Sequence, residues 1–171
     1  MIEAISHRIA LGIKAQVPEH KASVAVLQYA VNLVLNTFSI VGFSLLAGVL
    51  TGRLSEAVIV LVSFALLRQV SGGYHLKSGM LCIAVSTIGV TIVSFADFNP
   101  LITLIMNGIA FILALIYAPS RIEKQTRIPV RYFKYLKLIA LLMIIVSALI
   151  GNSVLAAAFM VQSLTLIRGG R

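Results

Sequence analysis

An all-α, polytopic membrane fold is what this sequence predicts, on three observations. Hydrophobic residues make up 60% of the chain and charged residues only 11%, whereas a soluble domain is about half apolar and about a quarter charged; mean hydropathy is +1.04. The apolar residues gather into six runs, at 24–50, 54–67, 79–98, 101–118, 136–150 and 154–167, with short polar or glycine-containing breaks between them. The basic residues fall almost entirely in alternate breaks, the pattern of a chain that crosses a bilayer with one set of loops on the positive side.

The first element precedes the runs. Ile2, Ile5, Ile9, Ile13 and Val17 lie within one arc of about 120° at about 100° per residue, and Pro18 stops the pattern. An amphipathic helix is expected there, either lying in the membrane interface or capping the bundle. The same stretch holds Glu3, His7, Arg8, Lys14, Glu19, His20 and Lys21 and no continuous apolar run, so no cleavable signal peptide is expected.

Six spans follow as the natural count. A crossing takes about 20 residues at about 1.5 Å each, which makes the runs at 54–67, 136–150 and 154–167 short, each a candidate re-entrant segment. With six spans and an inner N-terminus, the inner side receives Arg8, Lys14, Lys21, Arg68, Lys77, Arg121, Lys124, Arg127, Arg131, Lys134, Lys137, Arg168 and Arg171; of the 14 basic residues only Arg53 falls outside. Both termini and the break at 68–82 are therefore expected on the cytoplasmic side of a cell membrane. The organisation is one membrane domain over 1–171: a cytoplasmic or interfacial helix (1–23), four spans (24–118), a basic cytoplasmic loop (119–135), then two spans and a tail (136–171).

In that loop Arg121, Lys124, Arg127, Arg131, Lys134 and Lys137 recur every three or four residues among Tyr132, Phe133 and Tyr135, with Pro129 dividing it. Anionic lipid is the first expected partner, each basic residue contributing about 1 kcal/mol near the surface, and an acidic protein partner is compatible with it. Nucleic acid is not expected, because no binding fold accompanies the charge. Gly42, Ser44, Ala47 and Gly48 allow close helix packing, either in a homodimer or within one copy.

Chemistry concentrates in the break Arg68-Gln69-Val70-Ser71-Gly72-Gly73-Tyr74-His75-Leu76-Lys77-Ser78-Gly79-Met80-Leu81-Cys82, which carries the only cysteine. A thiol attacks as thiolate and, with an ordinary pKa of about 8.5, needs a neighbouring base or dipole. In one continuous helix His75 and Cys82 would stand two turns apart, about 10 Å in rise, too far for a hydrogen bond. The expected arrangement instead starts a helix at Ser78 as N-cap, with His75 on the preceding loop and Cys82 about one turn inside, near the positive end of the dipole. Gly72 and Gly73 permit a sharp turn and close approach of a substrate backbone. The competing reading is a plain helix hairpin with Cys82 as a small packing residue. Metalloprotease, aspartyl protease and ATPase chemistries lack their motifs, and no cofactor or metal is expected.

On Arg68, Ser71-Gly72-Gly73-Tyr74-His75 and Cys82, and on Tyr117-Ala118-Pro119 closing a span before a charged loop, the chain resembles the accessory gene regulator protein B (AgrB) family. It departs from that pattern just after Pro119, at Ser120-Arg121-Ile122-Glu123, where an acid commonly follows. The resemblance implies a membrane cysteine endopeptidase that removes the acidic C-terminal tail of a short AgrD-like quorum-sensing propeptide. It implies Cys82 as nucleophile, His75 as general base, and Arg68 and Gly73, with Gly72, as supporting positions. The residue that orients the imidazole is left open among Gln69, Ser71 and Ser78. The alternative from another class is a non-enzymatic transporter-like or scaffold protein.

Overall fold

A computed structural model describes residues 2–19, 21–74, 78–120 and 129–167. Among them the chain is helical throughout: α1 (Ile2–Gln16), α2 (Val24–Leu50), α3 (Leu54–Ser71), α4 (Gly79–Val93), α5 (Pro100–Tyr117), a single 3-10 turn at Val130–Tyr132, α6 (Phe133–Ile150) and α7 (Ser153–Leu164). Short polar side chains set most helix starts, because the first turn of a helix has N–H groups without intrahelical partners. Ser23 accepts from Val26 N at 3.3 Å, Asn99 from Ile102 N at 2.9 Å ahead of Pro100, and Asn152 from Leu155 N at 2.9 Å. Gly151 ends α6 in the left-handed region at φ 68°, where a side chain would be strained.

Four helical segments are long and apolar enough to cross a bilayer: α2 with 27 residues, α3 with 18, α5 with 18 and Val130–Ile150 with 21. The lengths depart from the sequence expectation in three places. The run at 54–67 is not short, because Arg68-Gln69-Val70-Ser71 continues its helix. The run at 136–150 is not short either, because the 3-10 turn and Phe133–Tyr135 extend it towards the basic stretch. The run at 79–98 is helical only to Val93: Ser94 Oγ donates back to Val90 O at 2.8 Å, and the helix stops there. With 12 residues α7 rises about 18 Å, short of a hydrocarbon core of about 30 Å.

Packing is that of a membrane protein. Large apolar side chains point outward, with Leu149 82% and Phe38 73% exposed, while the interior holds Ala110, Ala114, Ala140, Ala156 and Ala158, each completely buried. Lipid gives long side chains no reason to hide, so close backbone approach through small residues holds such helices together. α7 is the most enclosed helix, packed on α5 and α3, and Leu67, Ile144, Phe159 and Leu166 join the alanines around it. Ser44 and Gly48 of α2 are buried inside the bundle, where a Cβ on Gly48 would stand 3.0 Å from Ala57 Cβ; Gly42 faces open space.

α1 docks on α2 through Ser6 and Ala10, assisted by His7 Nδ1 and Gln28 Oε1 at 3.0 Å. Ile5 and Ile9 stay exposed, so the helix both packs on the bundle and leaves part of its isoleucine arc uncovered. Of the basic stretch, 121–128 lies outside the described residues, as do His20 and 168–171.

Candidate active site

The polar break begins where α3 ends. Gly72 N–H donates to Arg68 O at 2.8 Å, and the chain then turns through two positive φ values, 74° at Gly72 and 136° at Gly73. Three supports from two distant segments hold this turn. Gly73 N–H donates to Ser120 O at 3.0 Å and Ser120 N–H to Ser71 O at 2.8 Å, a short parallel bridge formed just after the cis Ala118–Pro119 peptide. Tyr74 N–H donates to Thr165 O at 3.0 Å.

The third support is a side chain from α7. Gln162, completely buried, donates from Nε2 to Gly72 O at 2.7 Å and to Ser71 Oγ at 3.2 Å, while Ser71 Oγ donates to Leu67 O at 2.7 Å. Thr165 Oγ1 lies 2.7 Å from Gln162 O and 3.2 Å from Gln162 Oε1, which steadies the carboxamide. Gly73 fits beneath this group only because it lacks a side chain: a Cβ there would lie 2.5 Å from Thr165 Oγ1. Buried polar groups of this kind are costly unless paired, and here they are paired with one another.

Ser78 caps α4, its Oγ accepting from Leu81 N at 3.4 Å. Cys82 follows one turn inside the helix, reduced and 9% exposed, with Sγ 4.0 Å from Ser86 Oγ. Arg68 crosses the turn from α3. Its Nη2 donates to Tyr74 O at 2.7 Å, its guanidinium carbon lies 6.0 Å from the Phe64 ring centre, and its charge is close enough to the Cys82 thiol for the two to interact through space.

His75 lies outside the described residues, together with Leu76 and Lys77. Among the other residues singled out from sequence, Arg68, Ser71, Gly72 and Gly73 meet in one cluster and Ser78 stands at the head of the cysteine helix. Gln69 is exposed on α3, away from that cluster. The hydroxyls of Ser71 and Ser78 are engaged by Leu67 and Gln162 and by Leu81 N respectively. Sequence reasoning missed Gln162 and Thr165, about 90 positions from the turn, and also Asn32 and Asn36 of α2, which face the start of α4. For Gln162, Asn32 and Asn36 the one signal was a carboxamide inside an apolar run, and Thr165 gave none. Among the described residues no group of His, Cys, Asp and Glu is arranged to hold a metal.

Comparison with known proteins shows the family of the chain. A family model described as accessory gene regulator B matches residues 6–167. An AgrB-like protein of Halalkalibacterium halodurans is 27% identical over 110 residues, a stretch covering 64% of this chain and 56% of the relative, so the match spans little more than half the length of that protein. No solved structure matches. With the family's pattern matched from the first helix to the last, the chain belongs to the accessory gene regulator B family.

Proposed function

We propose that this protein is a membrane cysteine endopeptidase that removes the C-terminal tail of an AgrD-like propeptide. The observation that carries the reading is the position of Cys82, one turn inside the N-terminus of α4 and within electrostatic reach of Arg68, which itself binds Tyr74 O at the end of a glycine turn held from α3, the α5–α6 connection and α7. Free N–H groups and the dipole at such a helix start favour negative charge, on a thiolate or on the oxyanion that forms when it attacks. Arg68 adds a cation on the same side of the molecule.

The chemistry is nucleophilic catalysis in two steps. His75 takes the Cys82 proton, the sulfur attacks the scissile carbonyl, and the C–N bond breaks as His75 protonates the departing amine. The tail leaves and the peptide remains as a thioester on Cys82. A cysteine or serine of the bound peptide then attacks that thioester and closes a thiolactone or lactone ring, restoring the Cys82 thiol. Ring closure outcompetes hydrolysis only where water is kept out, and the near-complete burial of Cys82 supports that condition.

The six apolar helices are read as six crossings, with α4 and α7 completed by their flanking segments, and with the glycine turn, both termini and the basic stretch on the cytoplasmic face. Alternate loop charge supports this orientation. The basic stretch then rests on anionic lipid and, with Arg68, attracts an acidic propeptide tail. Close packing through Ser44 and Gly48 is already used within one copy, which leaves Gly42 as the small residue free for a dimer contact.

The test is cleavage of a synthetic AgrD-type propeptide by the protein in nanodiscs, followed by mass spectrometry of the peptide. Tail loss with the parent, and none with Cys82→Ser or His75→Ala, is expected. Tail loss that survives Cys82→Ser would remove the basis of the proposal, and a dispensable Cys82 would favour the scaffold alternative.

A further inference from the structure

The sulfur of Cys82 has a hydroxyl beside it. Ser86 follows four residues later on the same face of α4, and its Oγ stands 4.0 Å from Cys82 Sγ, within hydrogen-bonding distance for an atom as large as sulfur. A serine or threonine in a helix often turns its hydroxyl back to the carbonyl four residues earlier. Thr37, Thr51, Ser71, Thr91 and Ser94 do so in this protein, at 2.7 to 2.9 Å. Ser86 does not: its hydrogen-bond partner is the sulfur, and its proton is free to point there.

The surroundings give that proton a use. Cys82 is only 9% exposed, so water has little access to a negative sulfur, and a buried charge is costly without hydrogen bonds. The amides nearest the sulfur along the chain are taken, Leu81 N–H by Ser78 Oγ at 3.4 Å and Cys82 N–H by Ser78 O at 2.9 Å. Arg68 acts on the sulfur through its charge, while its Nη2 donates to Tyr74 O. Among the described residues, the Ser86 hydroxyl is the side-chain donor at hydrogen-bonding distance from the sulfur.

We propose that Ser86 is a catalytic residue of this site, its hydroxyl donating a hydrogen bond to the Cys82 thiolate before attack and again when the sulfur departs from the thioester. The proposal rests on the reading of Cys82 as nucleophile. Ser86 keeps its own hydrogen throughout. His75 takes the thiol proton, and the sulfur's electron pair forms the C–S bond. At ring closure that bond breaks, its electron pair returns to sulfur, and the proton of the attacking peptide group passes to the sulfur through His75. A bond made to the charged sulfur and lost in the neutral thioester raises the share of thiolate and eases its departure. A packing contact is the competing role.

The experiment uses the full chain in nanodiscs. Cys82 is the only cysteine, so alkylation by iodoacetamide at neutral pH, followed by intact mass, reads this sulfur alone and needs no peptide. Ser86→Ala should be alkylated about 3-fold more slowly than the parent. Losing a hydrogen bond to a charged atom cuts the thiolate share about tenfold, and the more basic sulfur recovers part of that loss in reactivity. Removing an oxygen does not narrow the approach to the sulfur, so slowing reports the thiolate rather than access. Ser86→Thr keeps the hydroxyl and should restore the parent rate. With a synthetic AgrD-type propeptide, kcat of Ser86→Ala should fall about 3- to 10-fold at unchanged KM, and Ser86→Thr should recover it.

Equal alkylation rates in the parent and Ser86→Ala overturn the proposal, as does a slowing that Ser86→Thr fails to reverse, because either result assigns the hydroxyl to packing. A parent sulfur inert to the reagent, or a kcat of Ser86→Ala equal to the parent's, overturns it too. Because alkylation is read without substrate, failure of the parent protein to cleave the propeptide would sink the peptidase reading and leave the alkylation result standing.

Discussion

The α2–α3 and α3–α4 connections both use a glycine with positive φ, and they are built differently. At the α2–α3 turn Gly52 (φ 68°) is surrounded by open space, and the turn closes through bonds to residues just before it, from Thr51 N–H to Ala47 O, from Gly52 N–H to Val49 O and from Arg53 N–H to Gly48 O. At the α3–α4 break Gly72 and Gly73 are gripped by Ser120, Gln162 and Thr165, all remote in sequence. A connector needs only the first construction. Committing a buried glutamine and a cross-chain bridge to a turn fixes its geometry, as a reaction centre requires when a displacement of about 1 Å can cost about 100-fold in rate.

The largest effect should come from placing a side chain on Gly73. At φ 136° with Thr165 Oγ1 only 2.5 Å from the added Cβ, Gly73→Ala meets backbone strain of about 1–3 kcal/mol and overpacking of a similar size. Thermal unfolding should reveal the loss of stability, and propeptide cleavage should be abolished. Gln162→Leu comes next. It leaves Gly72 O and Ser71 Oγ without their shared donor, a loss of about 1–3 kcal/mol, and initial rates at saturating peptide should fall at least about tenfold. Rates that match the parent would mean that Gln162 serves only the fold.

Thr165→Val removes the hydroxyl that steadies Gln162 and should cost about 1 kcal/mol, with a smaller drop in rate. At the other connection, Gly52→Ala should cost about 1–2 kcal/mol for the left-handed conformation alone and leave cleavage intact. A Gly52→Ala protein that loses activity as Gly73→Ala does would erase the distinction between the two turns.

Local chemistry was legible in the sequence because it depends on neighbours. Ser78 as the cap of the cysteine helix, the sharp turn at Gly72-Gly73 and the apolar runs all follow from residues within a few positions of each other. The supports of the turn were not legible, since nothing near Gln162 or Thr165 says that α7 returns to the end of α3. Span lengths were misjudged where hydrophobicity and helicity part: Arg68 and Gln69 are polar yet helical, while Phe95 to Phe98 include apolar residues beyond the end of α4. The arc of α1 named the apolar residues correctly, but the helix packs through its small ones, Ser6 and Ala10, because close approach in this bundle depends on small side chains.

The central claim is that Cys82 becomes acylated by the propeptide. The most direct measurement is intact-mass spectrometry of the protein in nanodiscs, quenched in acid shortly after mixing with a synthetic AgrD-type propeptide whose ring-closing residue is replaced by alanine. The account predicts a mass increase equal to the peptide without its tail, mapped to Cys82 and absent from Cys82→Ser. Release of the tail with the protein mass unchanged at every time point, or an adduct on any other residue, would contradict it.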